Sequence, residues 1–340
     1  MDPLQFVPIL VVGFATSLGL TPLSRAIALR LGIVDKPNQR KIHLDNKPLM
    51  GGLAIFVAFA LALLLFSPQQ ALSEYGAMVA GSLLLATVGL LDDRFHLGIK
   101  IRLVAQAAAA VILIMAGIQI RLFEFAPINL IVTIFWVVAM TNALNFLDNM
   151  DGVSAGLAGI SAGFFMLIAH HEGLTLVSSL AAALMGSAVG FLVYNFNPAS
   201  TFMGDMGALV LGFILATLGI KLEFGAQPLD VTWMVPLFVL AIPIFDICLV
   251  VVTRIMEGRS PGEAGKDHTT HRLMSIGFSQ RWTLLIVYSA SAVYGGIGYF
   301  ISVAEPGTAF VVGVGGLASL GALFLLMMWI RRRFQLRTVK

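Results

Sequence analysis

Long apolar runs separated by short polar segments make up nearly the whole chain. Each run is about 20 residues long, which is the length that an α-helix needs to cross the hydrocarbon core of a bilayer. The runs lack the ten-residue alternation of membrane-barrel strands. The pattern predicts an all-α integral membrane protein, a bundle of eleven spans near 5–25, 50–67, 75–91, 103–120, 128–147, 153–169, 174–194, 205–221, 232–253, 282–302 and 309–330.

The basic residues between these runs predict the orientation. When the joining segments are assigned alternately to the two sides, 19 of the 21 Lys and Arg residues fall on one side. Only Arg121 and Lys221 remain on the other side. Because basic loops stay in the cytoplasm, we expect the N-terminus outside, the C-terminus inside, and the segment 254–281 as a cytoplasmic loop.

Composition excludes a soluble protein. Of the 340 residues, 58% are hydrophobic and 11% are charged, which is more apolar surface than a soluble domain can bury. Cys248 is the single cysteine, so an intrachain disulfide is excluded. Glycines four residues apart, such as Gly186 and Gly190, predict close helix packing. We expect one transmembrane domain over residues 1–340.

The segment 141–152 places polar side chains at the end of a predicted span. On a helix, Asn142, Asn145 and Asp148 share one face, and Asp151 and Gly152 follow before the next apolar run. Polar groups are costly at membrane depth, so they usually face water, a substrate or a partner. The pattern indicates a functional site; a polar seam between helices is the alternative.

Five carboxylates fall on the predicted cytoplasmic side, at the ends of spans. Asp92 and Asp93 are adjacent, Asp148 and Asp151 are three residues apart, and Asp205 begins a later run. Neighbouring carboxylates repel each other unless a cation neutralises them. Oxygen ligands of this kind suit Mg²⁺ or Mn²⁺, with coordination positions left for substrate phosphates.

Basic residues on the same side suit anionic ligands. Acids, a divalent cation and basic loops at a membrane surface favour phosphoryl transfer, in which charge neutralisation contributes most of the catalysis. For any single basic residue, topology and contact with anionic lipids are the alternative. The basic groups are Lys100 and Arg102, the segment 40–43, and Lys266, His268, His271 and Arg272.

The segment 195–207 carries a second set of candidates. Gly204 and Gly207 allow a ligand to approach the backbone around Asp205, and Phe202 is able to stack on a base. The alternative for Asp205 is a helix cap. Asp246 and the outer pair His170 and His171 are not expected to take part in catalysis; a polar contact between helices is the default for Asp246.

Together these motifs resemble the polyprenyl-phosphate N-acetylhexosamine-1-phosphate transferases, the superfamily that includes WecA, TagO and MraY. The resemblance extends over most of the chain and combines the segments above with further ones in a fixed order. The motifs are Asp35-Lys36-Pro37, Arg40-Lys41-Ile42-His43, Gly51-Gly52, Leu91-Asp92-Asp93-Arg94, the segments 142–152 and 195–207, Gly258-Arg259-Ser260-Pro261 and His268-Thr269-Thr270-His271-Arg272-Leu273.

The resemblance implies an Mg²⁺-dependent enzyme of the bacterial inner membrane, often dimeric. It would move a sugar-1-phosphate from a UDP-sugar to undecaprenyl phosphate and release UMP, in the first membrane step of a cell-envelope polysaccharide such as lipopolysaccharide or teichoic acid. Nucleic acid is not an expected partner. By the family's pattern, Asp205 and Asn145 approach the metal, Asp92 and Asp93 orient or deprotonate the lipid phosphate, and Asp151 is catalytic or positions substrate.

The same resemblance implies that the remaining candidate residues bind the substrates. Lys100 or Arg102 would neutralise phosphate charge, whereas Asn195, Phe202 and Asp148 would line a uridine pocket. His268, His271 and Arg272 would hold the diphosphate or the sugar.

The last loop favours the WecA/TagO branch and UDP-GlcNAc, since MraY-type enzymes carry three consecutive histidines there. Thr270 replaces a histidine of that branch's common His-x-His-His form.

Three other functions compete with this interpretation. An MraY-type enzyme would take a muramyl-pentapeptide nucleotide. An ion or solute transporter would place carboxylates within broken spans and show an internal repeat, neither of which the sequence contains. A CDP-alcohol phosphotransferase shares the Asp148-x-x-Asp151-Gly152 spacing but has further motif residues that this chain lacks.

Overall fold

The computed structural model describes residues 3–35, 46–66, 72–225, 228–263 and 265–334. Residues 36–37, the basic segment 40–43 and the basic tail after residue 334 lie outside these ranges. A 3-10 helix (Pro3–Phe6) begins the described chain. Two short strands, β1 (Val34–Asp35) and β2 (Lys47–Pro48), pair antiparallel with Val34 opposite Pro48.

The chain divides into two compact units, Met1–Glu223 and Phe224–Lys340. Helices form both units. The first unit contains α1 (Val7–Leu31), α2 (Gly51–Phe66), α3 (Leu72–Phe95), α4 (Ile99–Met115), α5 (Ala126–Leu147), α6 (Val153–His171), α7 (Thr175–Asn195) and α8 (Gly204–Ile220). The second contains α9 (Leu229–Thr232), α10 (Met234–Val239), α11 (Ala241–Met256), α12 (Thr269–Ser275), α13 (Gln280–Val303) and α14 (Pro306–Arg333).

Small residues allow close packing in the first unit. Helix α8 packs against α3 and α5, and α7 packs against α1 and α6. A Cβ atom on Gly186 or Gly190 would collide with the α1 backbone, at the carbonyls of Leu10 and Phe14 respectively. The close packing predicted from this glycine spacing is therefore confirmed.

The predicted span 232–253 is bent. Helix α10 ends at Val239, and the segments Leu229–Val239 and Ala241–Met256 meet at 77°. Pro243 lies four residues after Val239 and has no N–H to donate to the Val239 carbonyl, so the helix is interrupted there. The apolar run was visible in the sequence, but the bend was not predicted.

Each of the eleven predicted spans overlaps at least one helix, but not all of these helices are long and apolar enough to cross a membrane. Among the described residues, seven helices are long and apolar enough to cross a membrane, or eight if the bent pair counts as one span. Helices α2 and α8, with 16 and 17 residues, are shorter. Large apolar side chains such as Leu64 and Met115 face outward, 78% and 83% exposed. The protein is thus a polytopic α-helical membrane protein, while the count of eleven and the orientation stay predictions.

Candidate active site

Helix ends bring the predicted acids of the first unit together. Asp92 and Asp93 lie in the last turn of α3, and Asn145 lies in the last turn of α5. Arg102 is in the first turn of α4, and Asp205 is in the first turn of α8. Hydrogen bonds join these four helix ends, so residues up to 113 positions apart in sequence form one cluster.

Arg102 joins two of the acids. Its Nη1 donates to Asp92 Oδ2 over 2.9 Å and to Asp205 Oδ2 over 3.3 Å. The other oxygen of Asp205, Oδ1, accepts from Asn145 Nδ2 over 2.7 Å. A guanidinium between two carboxylates offsets their repulsion and holds them at one point.

Asp93 caps helix α8. Its Oδ1 accepts from the Asp205 N–H over 2.9 Å, and its Oδ2 accepts from the Met206 N–H over 3.4 Å. Gly204 has φ +70°, and a Cβ atom there would collide with Asp93 Oδ2 and the Leu49 carbonyl. Asp205 is therefore not the cap of its own helix, which was the alternative considered from sequence. The cap comes from α3 and leaves the Asp205 carboxylate to its neighbours.

The loop after α5 carries the next two acids. Asp151 Oδ2 accepts from Asn197 Nδ2 over 3.1 Å and from the Ala199 N–H over 2.9 Å, so it holds the loop between α7 and α8. Burial raises the pKa of Asp148 to about 8, and the charges of Asp205 and Asp151 act in the same direction.

Asn195 and Phe202 belong to the α7–α8 connection. Asn195 is buried; its Oδ1 accepts from the Gly152 N–H over 3.1 Å, and its Nδ2 donates to the Thr201 carbonyl over 3.0 Å. The Phe202 N–H donates to the Pro48 carbonyl over 2.8 Å, and its ring is partly exposed. These bonds join the connection to the 148–152 loop and to β2. Lys100 is exposed at the start of α4.

Sequence reasoning missed Gln106 as part of this region. Gln106 is fully buried one turn after Arg102 and exchanges hydrogen bonds with Asn142, with Asn142 Nδ2 donating to Gln106 Oε1 over 2.7 Å. Its spacing of four residues from Arg102 places both on one face of α4, which is the signal that would have found it.

The donor set suits a divalent cation that also binds substrate. Among the described residues, no group of three or more His, Cys, Asp or Glu forms a ready-made metal cage. Mg²⁺ does not need one, because it usually takes one or two carboxylates together with waters and substrate phosphates. Asp205 and the amide oxygen of Asn145 are hard oxygen donors that fit this pattern.

The second unit holds the histidines of the last loop. His268 Nδ1 and Asp246 Oδ2 are 2.8 Å apart, and the Thr269 N–H donates to Asp246 Oδ1 over 2.7 Å. The rings of His268 and His271 have centroids 5.8 Å apart. Burial lowers the pKa of His271 to about 4, with the positive charges of His268 and Lys266 acting in the same direction.

Arginines fix the loop that carries these histidines. Asp267 is buried and accepts from Arg254 Nε over 3.0 Å, from Arg259 Nη2 over 2.8 Å and from Arg331 Nη1 over 2.7 Å. These three guanidinium groups hold the pKa of Asp267 well below its usual range despite its burial. The end of α14 and the end of α11 are thereby tied to the loop.

Arg272 is part of the protein interior. Its side chain is fully buried, and its guanidinium donates to the carbonyls of Asp267 and Met327 and to Thr253 Oγ1. Burial beside Arg331 lowers its pKa to about 10, so it stays protonated at pH 7. This geometry favours a structural role for Arg272 over the diphosphate contact expected from the resemblance.

Comparison with known proteins identifies the family. The sequence profile of Glycosyl transferase family 4 matches residues 75–223, which include the whole acidic cluster of the first unit. A Bacillus subtilis protein described as a probable undecaprenyl-phosphate N-acetylglucosaminyl 1-phosphate transferase is 32% identical over 300 residues. The match covers 86% of this chain and 83% of the relative. The chain belongs to the polyprenyl-phosphate N-acetylhexosamine-1-phosphate transferase family.

Other members of the family have similar coverage. A Yersinia pestis undecaprenyl-phosphate alpha-N-acetylglucosaminyl 1-phosphate transferase is 29% identical over 84% of this chain and 81% of the relative. A Mycolicibacterium smegmatis decaprenyl-phosphate N-acetylglucosaminephosphotransferase is 32% identical over 78% of this chain and 74% of the relative. The resemblance inferred from the motifs is therefore confirmed.

Proposed function

We propose that this chain transfers N-acetylglucosamine-1-phosphate from UDP-GlcNAc to a polyprenyl phosphate, such as undecaprenyl phosphate, and releases UMP. An oxygen of the lipid phosphate attacks the β-phosphorus of the nucleotide sugar. The bond between this phosphorus and the oxygen that bridges to the α-phosphorus breaks, and UMP leaves with the electron pair. We favour this direct attack over a covalent aspartyl intermediate, because charge neutralisation stabilises an in-line transfer without a second barrier.

The observation that carries the proposal is the junction of Asp92, Arg102, Asn145 and Asp205 at four helix ends. Transfer between two phosphates needs cationic groups that offset the charge of the transferred phosphoryl group. Arg102 supplies such a group among the acids, and Lys100 is exposed two residues away. Asp92 lies against Arg102, where it orients or deprotonates the lipid phosphate.

For Asp93 we propose a part other than the contact with the lipid phosphate that the family's pattern implies. Its two bonds to the first turn of α8 support a positioning role, in which Asp93 holds the Asp205 backbone. Asp151 likewise supports the loop that carries Phe202 by binding Asn197 and the Ala199 N–H. Both acids would then affect turnover through their neighbours.

Asp205 and the amide oxygen of Asn145 would hold Mg²⁺, for which Mn²⁺ is a chemical substitute. When bound, the ion supplies neutralisation of phosphate charge. The hydrogen bond from Asn145 Nδ2 orients the Asp205 carboxylate and leaves the Asn145 amide oxygen for a further ligand.

Recognition of the donor is assigned to two other groups of residues. The partly exposed Phe202 ring would stack on uracil, with Asp148 and Asn195 beside the same connection. His268 and His271 would bind the diphosphate or the sugar. Arg272 would act by holding their helix, since its guanidinium is buried.

The number of spans, the membrane and the orientation of the chain are part of the same proposal. We propose eleven spans in the bacterial inner membrane, with the N-terminus outside and the acidic cluster at the cytoplasmic face. The exposed apolar surface of the helices supports contact with lipid. A homodimer is the proposed assembly, as the family resemblance implies.

Purified protein with Mg²⁺, undecaprenyl phosphate and UDP-GlcNAc should release UMP. Asp205→Asn should abolish this release while the protein stays folded and inserted in the membrane. Asp230→Asn, which changes an exposed acid of α9, is the matched control and should retain activity.

UMP release with only a muramyl-pentapeptide nucleotide would instead assign the MraY-type reaction. Failure with every UDP-sugar, together with substrate-coupled ion flux in liposomes, would favour a transporter.

A further inference from the structure

Gln106 and Asn142 form an amide pair one helical turn away from the acidic cluster. Asn142 Nδ2 donates to Gln106 Oε1 over 2.7 Å, and Gln106 Nε2 donates to Asn142 Oδ1 over 3.4 Å. Gln106 follows Arg102 by four residues on α4, and Asn142 precedes Asn145 by three residues on α5. Each amide therefore shares a helix face with one residue of the cluster.

The rest of the packed face of α4 does not fix how this helix lies on its neighbours. Among the described residues, side chains of α4 form hydrogen bonds to other helices only at Arg102 and Gln106. A face of small apolar residues allows close approach but offers no directional contact. The other buried residues of α4 are Ala105, Ala109, Ala110 and Leu113.

The amide pair is costly to break from the α4 side. Gln106 has no exposed surface, and a buried amide that loses its partner keeps the cost of its desolvation. Asn142 Nδ2 also donates to the Val138 carbonyl over 2.8 Å, which holds the Asn142 side chain against its own helix. Helix α5 thus presents a fixed amide to which α4 is aligned.

The contacts of Arg102 depend on this alignment. Its Nη1 donates to Asp92 Oδ2 over 2.9 Å and to Asp205 Oδ2 over 3.3 Å, on helices α3 and α8. Arg102 is one turn from Gln106, so a slide or rotation of α4 moves the guanidinium together with the amide. A misplacement of about 1 Å is enough to lower a rate by about 100-fold, so charge neutralisation by Arg102 requires a fixed α4.

We propose that Gln106 and Asn142 are positioning residues of the active site. Their amide pair sets the register of α4 on α5 and so holds the Arg102 guanidinium between Asp92 and Asp205. This inference rests on the proposed function, because it gives Arg102 a transferred phosphoryl group to neutralise. The pair acts through Arg102 and not by contact with substrate, so the polar seam that the sequence offered as an alternative lies beside the site.

Apolar replacement of both amides separates alignment from stability. Gln106→Leu leaves the Asn142 amide without its contact on α4 and should lower both melting temperature and turnover. Gln106→Leu with Asn142→Leu removes both polar groups, so the melting temperature should recover. Turnover should not recover: we expect kcat about 10- to 100-fold below wild type, with the KM for UDP-GlcNAc changed by less than about twofold. A double leucine variant with wild-type kcat would overturn the proposal.

Two comparisons show whether the effect depends on Arg102. Thr133→Val removes hydrogen bonds with the Ile120 N–H and the Asn129 carbonyl elsewhere on α5, so it should lower the melting temperature and leave kcat unchanged. In an Arg102→Gln background, the two leucines should lower kcat by less than about threefold, because residues that act through one contact are not additive. A further fall as large as in the wild-type background would contradict the proposal.

The position of α4 is measurable without turnover. Ile101 is exposed in the first turn of α4, and Ile131 is exposed in the second turn of α5. Because the start of α4 lies beside the end of α5, spin labels at these two positions report a slide of one helix along the other. With Cys248→Ser, the distance between the labels, measured by double electron–electron resonance, should shift or broaden in the double leucine variant and stay unchanged in Thr133→Val.

The outcomes distinguish this proposal from the proposed function. If the distance changes but no UDP-sugar yields UMP, the alignment stands and the proposed function fails. If UMP is released and the double leucine variant changes neither kcat nor the distance, the alignment is overturned and the proposed function stands. If the double leucine variant does not fold, Gln106→Asn with Asn142→Gln keeps an amide pair of the same summed length. This exchange should release UMP faster than Gln106→Asn alone, and an exchange that is no faster would overturn the proposal.

Discussion

The Asp93 carboxylate accepts the backbone N–H of Asp205 across 2.9 Å, and it accepts the Met206 N–H with its other oxygen. A side chain of α3 therefore caps helix α8, and the capped residue is the proposed metal ligand. Adjacent aspartates in this motif consequently have different surroundings: Asp92 contacts Arg102, whereas Asp93 contacts backbone.

Asp93→Asn and Asp93→Ala should differ in activity. Asparagine keeps an acceptor oxygen for the Asp205 N–H, whereas alanine loses the cap at a cost of about 1 kcal/mol and frees the first turn of α8. We expect Asp93→Asn to retain clearly more UMP release and a higher melting temperature than Asp93→Ala. Equal loss of turnover in both variants, with equal melting temperatures, would assign proton transfer to Asp93 instead.

Arg102→Gln should lower turnover while it strengthens binding of the divalent cation. The guanidinium contributes positive charge between Asp92 and Asp205, and its removal leaves the acids more attractive to a metal. We expect kcat to fall by about 100-fold, the usual effect of losing one electrostatic contact in the transition state. The Mn²⁺ concentration for half-maximal binding, measured by electron paramagnetic resonance, should decrease.

Lys100→Gln is the matched control for that experiment. Lys100 lies on the same turn of α4 but is exposed. Its removal should leave Mn²⁺ binding nearly unchanged. An Arg102→Gln variant that binds Mn²⁺ more weakly than wild type would contradict the view that the guanidinium and the cation compete for the same acids.

The helices and the acidic cluster were predictable because both follow from local features of the sequence. A bilayer requires long apolar segments, so each run of about 20 apolar residues coincides with helical structure. Acids at the ends of such runs are hydrated at low cost, which indicates Asp92 and Asp205. Asn145 is indicated by the helix face that it shares with Asn142 and Asp148. Their contacts, direct between Asn145 and Asp205 and through Arg102 between Asp92 and Asp205, follow once the helix ends are brought together.

The individual tasks of the residues were not predictable in the same way. Capping by Asp93 depends on a backbone 112 positions away, and the burial of Arg272 depends on the Met327 carbonyl of α14. A polar contact between helices is the default expectation for Asp246 within a span, whereas the structure pairs it with His268, 22 residues further along the chain. Residue type predicts that a charge needs a partner, but the fold decides which partner it receives.

Arg272→Ala should destabilise the second unit without a specific effect on substrate binding. The buried guanidinium donates to the carbonyls of Asp267 and Met327 and to Thr253 Oγ1, and hydrogen bonds from a charged group contribute about 1.5–3 kcal/mol each. We expect a large fall in melting temperature, with an unchanged KM for UDP-GlcNAc in the fraction that stays folded. Arg333→Ala, at an exposed position in the last turn of α14, should melt like wild type. If Arg272→Ala instead raises the KM for UDP-GlcNAc and melts like wild type, Arg272 contacts the substrate.

Acid should destabilise the wild type more than His271→Gln. Burial, together with the positive charges of His268 and Lys266, lowers the pKa of His271 to about 4, from an ordinary value near 6.5. Between these two pH values the unfolded chain binds a proton that the folded chain does not, so folded stability falls as pH decreases through this window.

Glutamine keeps polar character without titrating, and all other acids and bases are shared by the two proteins. The difference in melting temperature between wild type and His271→Gln in detergent should therefore be constant above pH 7 and should shift in favour of the variant between pH 6.5 and pH 4. A difference that stays constant over the whole range would mean that His271 titrates in the folded protein as it does in the unfolded chain.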